Sequence, residues 1–217
     1  MIPVDLLKRF YRAQPGGEVV RTYIDKNPLV RWLYWDRLRR MLDLGKEIGG
    51  TRILDLGCGE GVFLPALSET FDQVYGLDVD VRAAREVVKH YDLRNVQLYD
   101  MGLFDNPFDD GLFDIIFAAS VLEHFPDRDR LFTEILRLMG ADAHLIASCP
   151  TESRFYELGR KVFGYTKPDD HHFSADQISS TAERYLEMVF KKQGPFAKPR
   201  VLAVYYIYVF RKLRKAG

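Results

Sequence analysis

The sequence lacks several features that would set it apart from ordinary soluble proteins. Its only two cysteines in 217 residues, Cys58 and Cys149, are too few for a disulfide framework or for a zinc site with four thiolate ligands. The longest apolar run, Val201–Phe210, is about half of the roughly 20 residues that a membrane-spanning helix needs. The N-terminus does not show the order of a secretory signal. These absences predict a soluble protein of the reducing cytoplasm.

An excess of charge of one sign is also absent, because 31 Lys and Arg residues balance 31 Asp and Glu residues. The distribution is uneven, with a net charge of +5 over residues 1–52, −13 over 53–187 and +8 over 188–217. A basic C-terminus favours contact with the phosphates of nucleic acid or of an anionic membrane surface. A solvated strand end explains the same pattern, so composition leaves both interpretations open.

The chain has the length of one domain, and 47% apolar residues supply its core. Strand and helix patterns alternate from residue 51 onward, which is typical of a mostly parallel sheet. Two late strands, 187–192 and 200–211, have no helix between them and predict an antiparallel hairpin at one sheet edge. We therefore predict a single α/β domain with a doubly wound, seven-stranded, mostly parallel sheet. The other predicted elements are helices over 28–48, from the glycine turn to about 70, and over 81–91, 128–139 and 175–186, with strands over 53–56, 73–77, 96–99, 113–118 and 143–148.

A strand that ends in three alternating glycines is the most informative motif. Gly57, Gly59 and Gly61 stand between the predicted first strand and the helix that follows it. Without Cβ atoms, glycines adopt positive φ and let a ligand approach the backbone. The dinucleotide motif Gly-x-Gly-x-x-Gly requires glycine where this sequence has Val62. The turn therefore predicts a ligand-binding loop and disfavours a dehydrogenase that binds NAD.

Acidic residues accompany the carboxyl ends of the first three strands. Asp78 ends the second strand, where doubly wound nucleotide-binding sheets place the acid that holds ribose hydroxyls. Asp100 closes the third strand beside Met101, and Asp55 lies in the first strand. Because ligands of open α/β sheets bind outside the carboxyl ends of the strands, we expect these acids to line one site.

Together these motifs resemble those of the class I S-adenosylmethionine-dependent methyltransferases, and within them the small-molecule group that includes quinone-biosynthesis enzymes. The similarity runs from about residue 51 to 150. Besides the glycine turn and the acids, it rests on the segments 106–114, 121–125 and 148–151. The resemblance implies a Rossmann-like methyltransferase fold, S-adenosylmethionine as the cofactor and transfer of its methyl group.

The resemblance also implies a set of cofactor-binding positions along the sheet edge. They are Asp55, Gly57, Cys58, Gly59, Gly61, Asp78, Val79, Asp100, Met101 and Ala119. Within this set, Asp55 and the glycines would hold the methionine part of the cofactor, and Asp78 the ribose hydroxyls. Asp100 would hold the adenine amino group, Met101 would contact the ring, and Ala119 would line the floor of the pocket.

Acceptor selection in this family lies with segments that flank the core. They divide the single domain into a helical cover (1–50), a cofactor-binding core (51–150), a substrate-side insertion (151–187) and a C-terminal hairpin (188–217). Aromatic residues interleaved with arginines suit an apolar or anionic acceptor such as a quinone, a lipid or a phosphate-bearing intermediate. Ordinary helix packing explains the same spacing. The residues concerned are Tyr23, Arg31, Trp32, Tyr34, Trp35, Arg37, Arg39 and Arg40 in the cover and Arg154, Phe155, Tyr156, Arg160, Phe163 and Tyr165 in the insertion.

Methyl transfer needs a base as well as a cofactor. A methyl group on a sulfonium is already electrophilic, so the protein has to align a nucleophile and remove its proton. Histidine suits this task near neutral pH. Glu123 and His124 follow strand four, and His171 and His172 precede the last helix, so we predict these four as catalytic residues. The alternatives are structural: His124 paired with Glu123 or capping a helix, and His172 stapling the helix that Ser174 caps.

No metal ion is predicted for the reaction. The alternative is a cluster of His124, His171 and Asp169 or Asp170, but Ser120 stands where metal-dependent relatives carry an acid.

The predicted acceptor is a small or lipid-like molecule, methylated on oxygen, nitrogen or carbon. DNA is disfavoured, because Ala119–Leu122 replaces the polar-Pro-Pro-aromatic motif of nucleobase amino-methyltransferases. RNA rests only on the basic C-terminus, and a protein acceptor stays open. The alternative outside catalysis is a degenerate S-adenosylmethionine-binding scaffold.

Overall fold

The computed structural model describes residues 22–151, 156–157, 173–196, 199 and 202–213. Helices and strands alternate through most of this part of the chain, as the sequence predicts. The helices are α1 (Pro28–Ile48), α2 (Leu64–Ser68), α3 (Arg82–His90), α4 (Arg128–Leu138) and α5 (Ala175–Ala182). The strands are β1 (Arg52–Leu56), β2 (Gln73–Asp78), β3 (Val96–Asp100), β4 (Phe113–Ala119), β5 (Met139–Pro150), β6 (Leu186–Gly194) and β7 (Tyr205–Lys212). Short 3₁₀ turns span Leu103–Asp105 and Leu122–His124.

The seven strands form one sheet in the order β3-β2-β1-β4-β5-β7-β6. The strands β1 to β5 are parallel, and β7 pairs antiparallel with both β5 and β6. This confirms the predicted fold class and the antiparallel hairpin at one edge. The chain reverses its direction of winding between β1 and β4, and such a point opens a crevice at the carboxyl ends of the strands.

Two apolar clusters cover the two faces of the sheet. The strand β4 contributes to both, with Phe113 and Ile116 in one cluster and Ile115 and Phe117 in the other. All four side chains are completely buried. A continuous apolar run is typical of a parallel strand buried on both faces, and each such side chain stabilises the fold by about 1.5–3 kcal/mol. The core therefore lies on both sides of the strand that leads into the predicted site.

The helix α1 lies directly on this strand. Its first turn is capped by Asn27, whose side chain accepts a hydrogen bond of 2.9 Å from the Leu29 N–H, and Pro28 occupies the first helical position. It ends at Gly49, as predicted. A Cβ atom on Gly45 would come within 2.5 Å of the Phe117 ring. The missing side chain at residue 45 therefore lets α1 pack closely against β4.

Three element boundaries differ by about four or five residues from those that the sequence predicts, and the others by at most about two. The strand β5 begins at Met139 rather than 143, because Met139 pairs with Phe113 across a register shift. The helix α5 ends at Ala182 rather than 186, since a turn leads into β6 with the buried Leu186. The last strand begins at Tyr205 rather than 200, where its pairing with β5 begins. In each case tertiary pairing sets the boundary, and local propensity does not.

Candidate cofactor and acceptor site

The glycine turn after β1 has the backbone geometry that its sequence predicts. Gly57, Gly59 and Gly61 adopt φ values of 72°, 48° and 75°, in the left-handed region. The Gly57 N–H donates to the Leu77 carbonyl at 2.8 Å, which ties the turn to β2. A Cβ on Gly57 would overlap Val121, whereas one on Gly59 would meet no atom within 4 Å. The first glycine therefore serves packing, and the second leaves open space beside the backbone.

Asp55 is a buried acid at the end of β1. Its side chain is only 2% exposed, and its Oδ2 has no hydrogen-bond partner among the residues that the structure describes. Burial, with a smaller contribution from the charge of Asp78, raises the pKa of Asp55 to about 8. A buried oxygen with unused lone pairs can accept a hydrogen bond from a cationic or neutral donor group of a ligand.

Asp78 and Asp100 lie side by side at the same edge. They are register partners in the parallel pairing of β2 with β3. Asp78 accepts hydrogen bonds from the Gly59 N–H at 2.8 Å and the Asp80 N–H at 3.1 Å. The Met101 N–H donates to the Asp78 carbonyl at 2.9 Å. The structure therefore brings together the acids that the sequence predicts at the ends of these strands.

The side chains near these acids differ in accessibility. Val79, next to Asp78 in the chain, is 76% exposed and offers an apolar side chain to a ligand or to solvent. Asp100 forms an ion pair of 3.5 Å with Arg85, and both side chains are largely exposed. Exposed pairs contribute about 0–1 kcal/mol, so Asp100 remains free to exchange this partner for a ligand at little cost.

Cys58 is placed differently from the other predicted positions. Its side chain is buried against Gly76, where an added Cβ would lie 3.1 Å from the Cys58 Sγ. Burial, with the charge of Asp55 next, raises the pKa of the Cys58 thiol well above its ordinary value. The thiol is thus a neutral packing group.

The turn after β4 carries two of the predicted catalytic residues. Ser120 adopts φ of 54°, and its N–H donates to the Ser148 carbonyl at 2.9 Å. This redirects the chain into the 3₁₀ turn that holds Glu123 and His124. Glu123 is completely buried, whereas His124 keeps part of its side chain accessible. Both residues thus lie in a turn whose preceding residue, Val121, packs against Gly57, and His124 is the more accessible of the two.

The other two predicted catalytic residues, His171 and His172, lie outside the described residues, as do Asp169 and Asp170. The segment after them is described, and Ser174 and Gln177 form the predicted capping box at the start of α5. In the parts of the chain that the structure describes, no group of three or more His, Cys, Asp or Glu residues is arranged to hold a metal ion.

Arg37 is a buried residue that the sequence analysis places in the predicted cover without singling it out from the other arginines. Its side chain is 7% exposed, and it donates hydrogen bonds to the hydroxyls of Ser120 and, at 3.1 Å, of Tyr23. Its guanidinium also lies 5.1 Å from the centre of the Tyr34 ring. The available signal was its position: Arg37 stands in the stripe 30, 34, 37, 41 and 45 of α1, whose other members face the core wholly or in part.

A small cavity opens beside Arg37. It is partly open to solvent, and the space of about 260 Å³ between its walls includes open solvent. Its walls are mostly aromatic and aliphatic, and Arg37 is its charged member. The lining residues are Leu33, Tyr34, Arg37, Pro150, Tyr156, Val204 and Tyr205. The cover and the segment after β5 therefore meet at one cavity.

Other arginines of α1 are engaged elsewhere. Arg40 forms an ion pair of 2.6 Å with Asp36, and Arg31 donates to the carbonyls of Asp25 and Lys26. Tyr23 packs edge-on against Tyr34 and Trp35, with ring centres 5.5 and 5.1 Å apart. Much of the predicted aromatic cover is thus helix packing.

The basic C-terminus is described only in part. Arg211 pairs with Glu187 at 2.9 Å, and Lys212 donates to the Met139 carbonyl at 2.9 Å. Both cations are therefore used within the sheet, and residues 214–217 lie outside the described part. None of the helices in the described residues has the length and the apolar character to span a membrane.

Comparison with known proteins shows that this part of the chain is similar to methyltransferases. Residues 54–147 match the family model of a methyltransferase domain. The chain is 26% identical to a sarcosine/dimethylglycine N-methyltransferase of Halorhodospira halochloris over 152 residues, which cover 66% of this chain and 54% of that protein. It is also 26% identical to a demethylmenaquinone methyltransferase of Listeria welshimeri over 170 residues, 74% of this chain and 70% of that protein. The chain thus spans about half the length of the first relative.

A solved structure shares the fold. The N-methyltransferase NodS from Bradyrhizobium japonicum, crystallised with S-adenosyl-L-homocysteine, matches with a TM-score of 0.69 at 18% identity, over 96% of this chain and 98% of that one. Together with the glycine turn and the acids at the ends of β1 to β3, these similarities confirm the cofactor that the sequence predicts. Residues 54–147 thus carry a methyltransferase domain, similar to those of S-adenosylmethionine-dependent methyltransferases.

Proposed function

We propose that this protein transfers the methyl group of S-adenosylmethionine to an oxygen, nitrogen or carbon atom of a small or lipid-like acceptor. The observation that carries the proposal is the arrangement of Asp55, Asp78 and Asp100 around the glycine turn at one sheet edge. The relatives' names, a sarcosine/dimethylglycine and a demethylmenaquinone methyltransferase, support a small acceptor without selecting one.

The residues at this edge fit the cofactor. The unsatisfied Oδ2 of Asp55 suits the ammonium group of its methionine part, and the open space beside Gly59 admits a ligand against the backbone. Asp78 would accept hydrogen bonds from the ribose hydroxyls, for which its two oxygens retain lone pairs. Asp100, Met101 and the exposed Val79 would bind the adenine.

The bound cofactor supplies an electrophilic methyl group, so the protein's tasks are to align the nucleophile and to accept its proton. His124 is the described candidate for the base, because its side chain is accessible and follows β4 directly. Glu123 is completely buried, and from this position it would orient His124 or bind the acceptor. His171 and His172 stay candidates from the sequence. A base of this kind contributes about 10²- to 10⁴-fold to the rate.

The acceptor would enter the cavity beside Arg37. Its aromatic walls suit a planar or apolar molecule. The helix α1 and the segment after β5 both contribute walls, which agrees with the role that the resemblance gives to these segments.

A thermal-shift measurement tests the cofactor assignment. S-adenosylmethionine or S-adenosyl-L-homocysteine at about 100 times its dissociation constant should stabilise the protein by about 2.7 kcal/mol, a shift of about 5–10 °C for a chain of this length. NAD serves as the control and should give no shift. A shift with NAD alone would contradict the proposal.

Turnover is tested next with quinones, N-methylated amino acids and lipid-like phenols as acceptors, with formation of S-adenosyl-L-homocysteine as the readout. His124→Gln should lower kcat by about 10²-fold or more against the best acceptor. The matched control is His90→Gln, since His90 ends α3 away from this edge. Binding of the cofactor without turnover of any acceptor would favour the degenerate scaffold.

A further inference from the structure

The N-terminal half of α1 carries large apolar side chains in solvent. Leu29 is 47% exposed and Trp32 is 41% exposed. The two residues are three apart in the helix, so their side chains lie next to each other on one face. Single exposed apolar residues are normal on a protein, whereas adjacent large ones mark a surface that contacts a partner.

The exposed charges around this pair are cationic. Lys26 and Arg39 are exposed, whereas the two acids of the same stretch, Asp25 and Asp36, are half-buried and buried. The last turns of α1 have a different surface, on which both signs of charge are exposed. The residues concerned are Asp43, Lys46 and Glu47. The combination of apolar and cationic side chains is therefore confined to the N-terminal half of the helix.

This half of α1 extends past the carboxyl edge of the sheet and adjoins the cavity. Gly45 packs on β4 itself, and Arg37, about 12 Å nearer the N-terminus of the helix, reaches Ser120 after the end of β4. Leu29 lies about another 12 Å along the helix, past that edge. Leu33, one turn from Leu29, lines the cavity.

A third exposed apolar side chain flanks the same helix. Phe196 is 47% exposed and follows Pro195, whose carbonyl accepts a hydrogen bond of 3.2 Å from the side chain of Arg40. Val204, at the other end of the loop after β6, lines the cavity. The loop that carries Phe196 and the helix that carries the exposed pair therefore meet beside the cavity.

An anionic lipid surface fits this combination of side chains. Tryptophan is enriched at the boundary between headgroups and acyl chains, and anionic headgroups attract lysine and arginine. A second copy of this chain fits less well. A two-fold pairing through this face would bring the like charges of Lys26 and Arg39 from both copies together.

We propose that the N-terminal half of α1 docks on an anionic lipid surface through Leu29, Trp32, Lys26 and Arg39. The inference rests on the proposed function and narrows its acceptor. Docking would hold the cavity against the bilayer, so the acceptor is a lipid-like molecule that enters from the membrane. This surface is distinct from the basic C-terminus, whose cations Arg211 and Lys212 are engaged within the sheet.

Tryptophan fluorescence tests the docking directly, because the only two tryptophans of the chain, Trp32 and Trp35, both lie in α1. Trp35→Phe leaves Trp32 as the single reporter. Vesicles of phosphatidylglycerol and phosphatidylcholine in equal parts should shift its emission to shorter wavelength, and lipids brominated in their acyl chains should quench it. Vesicles of phosphatidylcholine alone should bind the protein about tenfold more weakly or less, because they lack the anionic headgroups.

Flotation of the full chain with these vesicles separates the apolar and the charged contributions. Leu29→Gln combined with Trp32→Gln should weaken binding by about tenfold or more, since both apolar contacts with the acyl region are lost. Arg39→Gln should weaken it by about fivefold. The matched control is Lys46→Gln, which removes an exposed cation from the other end of α1 and should change nothing.

The inference is wrong if the anionic vesicles neither float the protein nor shift the emission of Trp32, or if the double variant binds them as well as the wild type. Self-association without vesicle binding, abolished by the double variant in sedimentation velocity, would assign the surface to a second copy and overturn the inference. Failure of the proposed function has a separate signature, namely no thermal shift with S-adenosyl-L-homocysteine while the vesicles still bind.

Discussion

The two halves of the sheet edge use opposite charges and different means of construction. On the side of β1 to β3, three carboxylates surround a turn whose shape depends on backbone conformation. On the side of α1, β5 and β7, a buried guanidinium stands among aromatic rings. The side of β1 to β3, here called the cofactor half, is built from motifs that are local in the sequence. The side of α1, β5 and β7, here called the acceptor half, forms only when segments distant in the sequence pack together.

The largest expected effect tests the backbone of the cofactor half. Gly57→Ala should lower the free energy of unfolding by about 2–4 kcal/mol, because its Cβ would overlap Val121 at a φ of 72°. Gly59→Ala has open space and should cost only the left-handed strain, about 1–2 kcal/mol. Chemical denaturation measures both, and equal losses would refute the distinct roles of the two glycines.

The next effect tests the acids of that half. Asp78→Asn should weaken binding of S-adenosyl-L-homocysteine by about 10- to 100-fold, since a charged acceptor is lost while the amide oxygen can still bind the Gly59 N–H. Calorimetry gives the affinity. Asp72→Asn, an exposed change just before the other end of β2, is the control and should have no effect.

A third effect is a slope rather than a single loss, and it concerns the pH dependence of stability. The pKa of Asp55 is raised to about 8 in the folded protein from an ordinary value of 3.8, so the folded state binds this proton more tightly than the unfolded state. Its contribution to stability is complete below pH 4 and is lost as the pH rises to about 8, with a slope of up to about 1.4 kcal/mol per pH unit.

Calorimetric unfolding of the ligand-free protein between pH 5 and 8 measures this slope. Asp55→Asn should remove it, because asparagine does not titrate. An unchanged slope in the variant would show that Asp55 is ionised in the folded protein.

The smallest expected effect tests a hydrogen bond in the acceptor half. The Tyr205 hydroxyl donates to the Asp36 carboxylate at 2.9 Å, and Arg40 also binds this carboxylate. Tyr205→Phe should therefore cost about 1 kcal/mol of stability and leave the affinity for S-adenosyl-L-homocysteine unchanged. A change of more than about threefold in that affinity would mean that the two halves are energetically coupled.

The meeting of Asp55, Asp78 and Asp100 at one edge can be predicted from the sequence for a physical reason. Strand ends, glycine turns and the acids that follow them are local patterns, and the parallel sheet then brings Asp55, Asp78 and Asp100 to one edge. Cys58 is the exception within this half, since its sequence position alone did not reveal that its thiol packs against Gly76.

The acceptor half is less predictable. The importance of Arg37 depends on contacts with Ser120, 83 residues away, and on the meeting of α1 with β5 and β7. The complete burial of Glu123 likewise follows from tertiary packing. Roles for His124, His171 and His172 stay predictions.

The contact between Gly45 and Phe117 has a consequence for redesign of the enzyme. Because residue 45 has no side chain, α1 packs closely against β4 at this point. The same helix carries Leu33, Tyr34 and Arg37, which line the cavity, two to three turns away. A larger residue at position 45 would push α1 away from β4. The size of the cavity beside Arg37 can thus be altered from a residue that is not part of its lining.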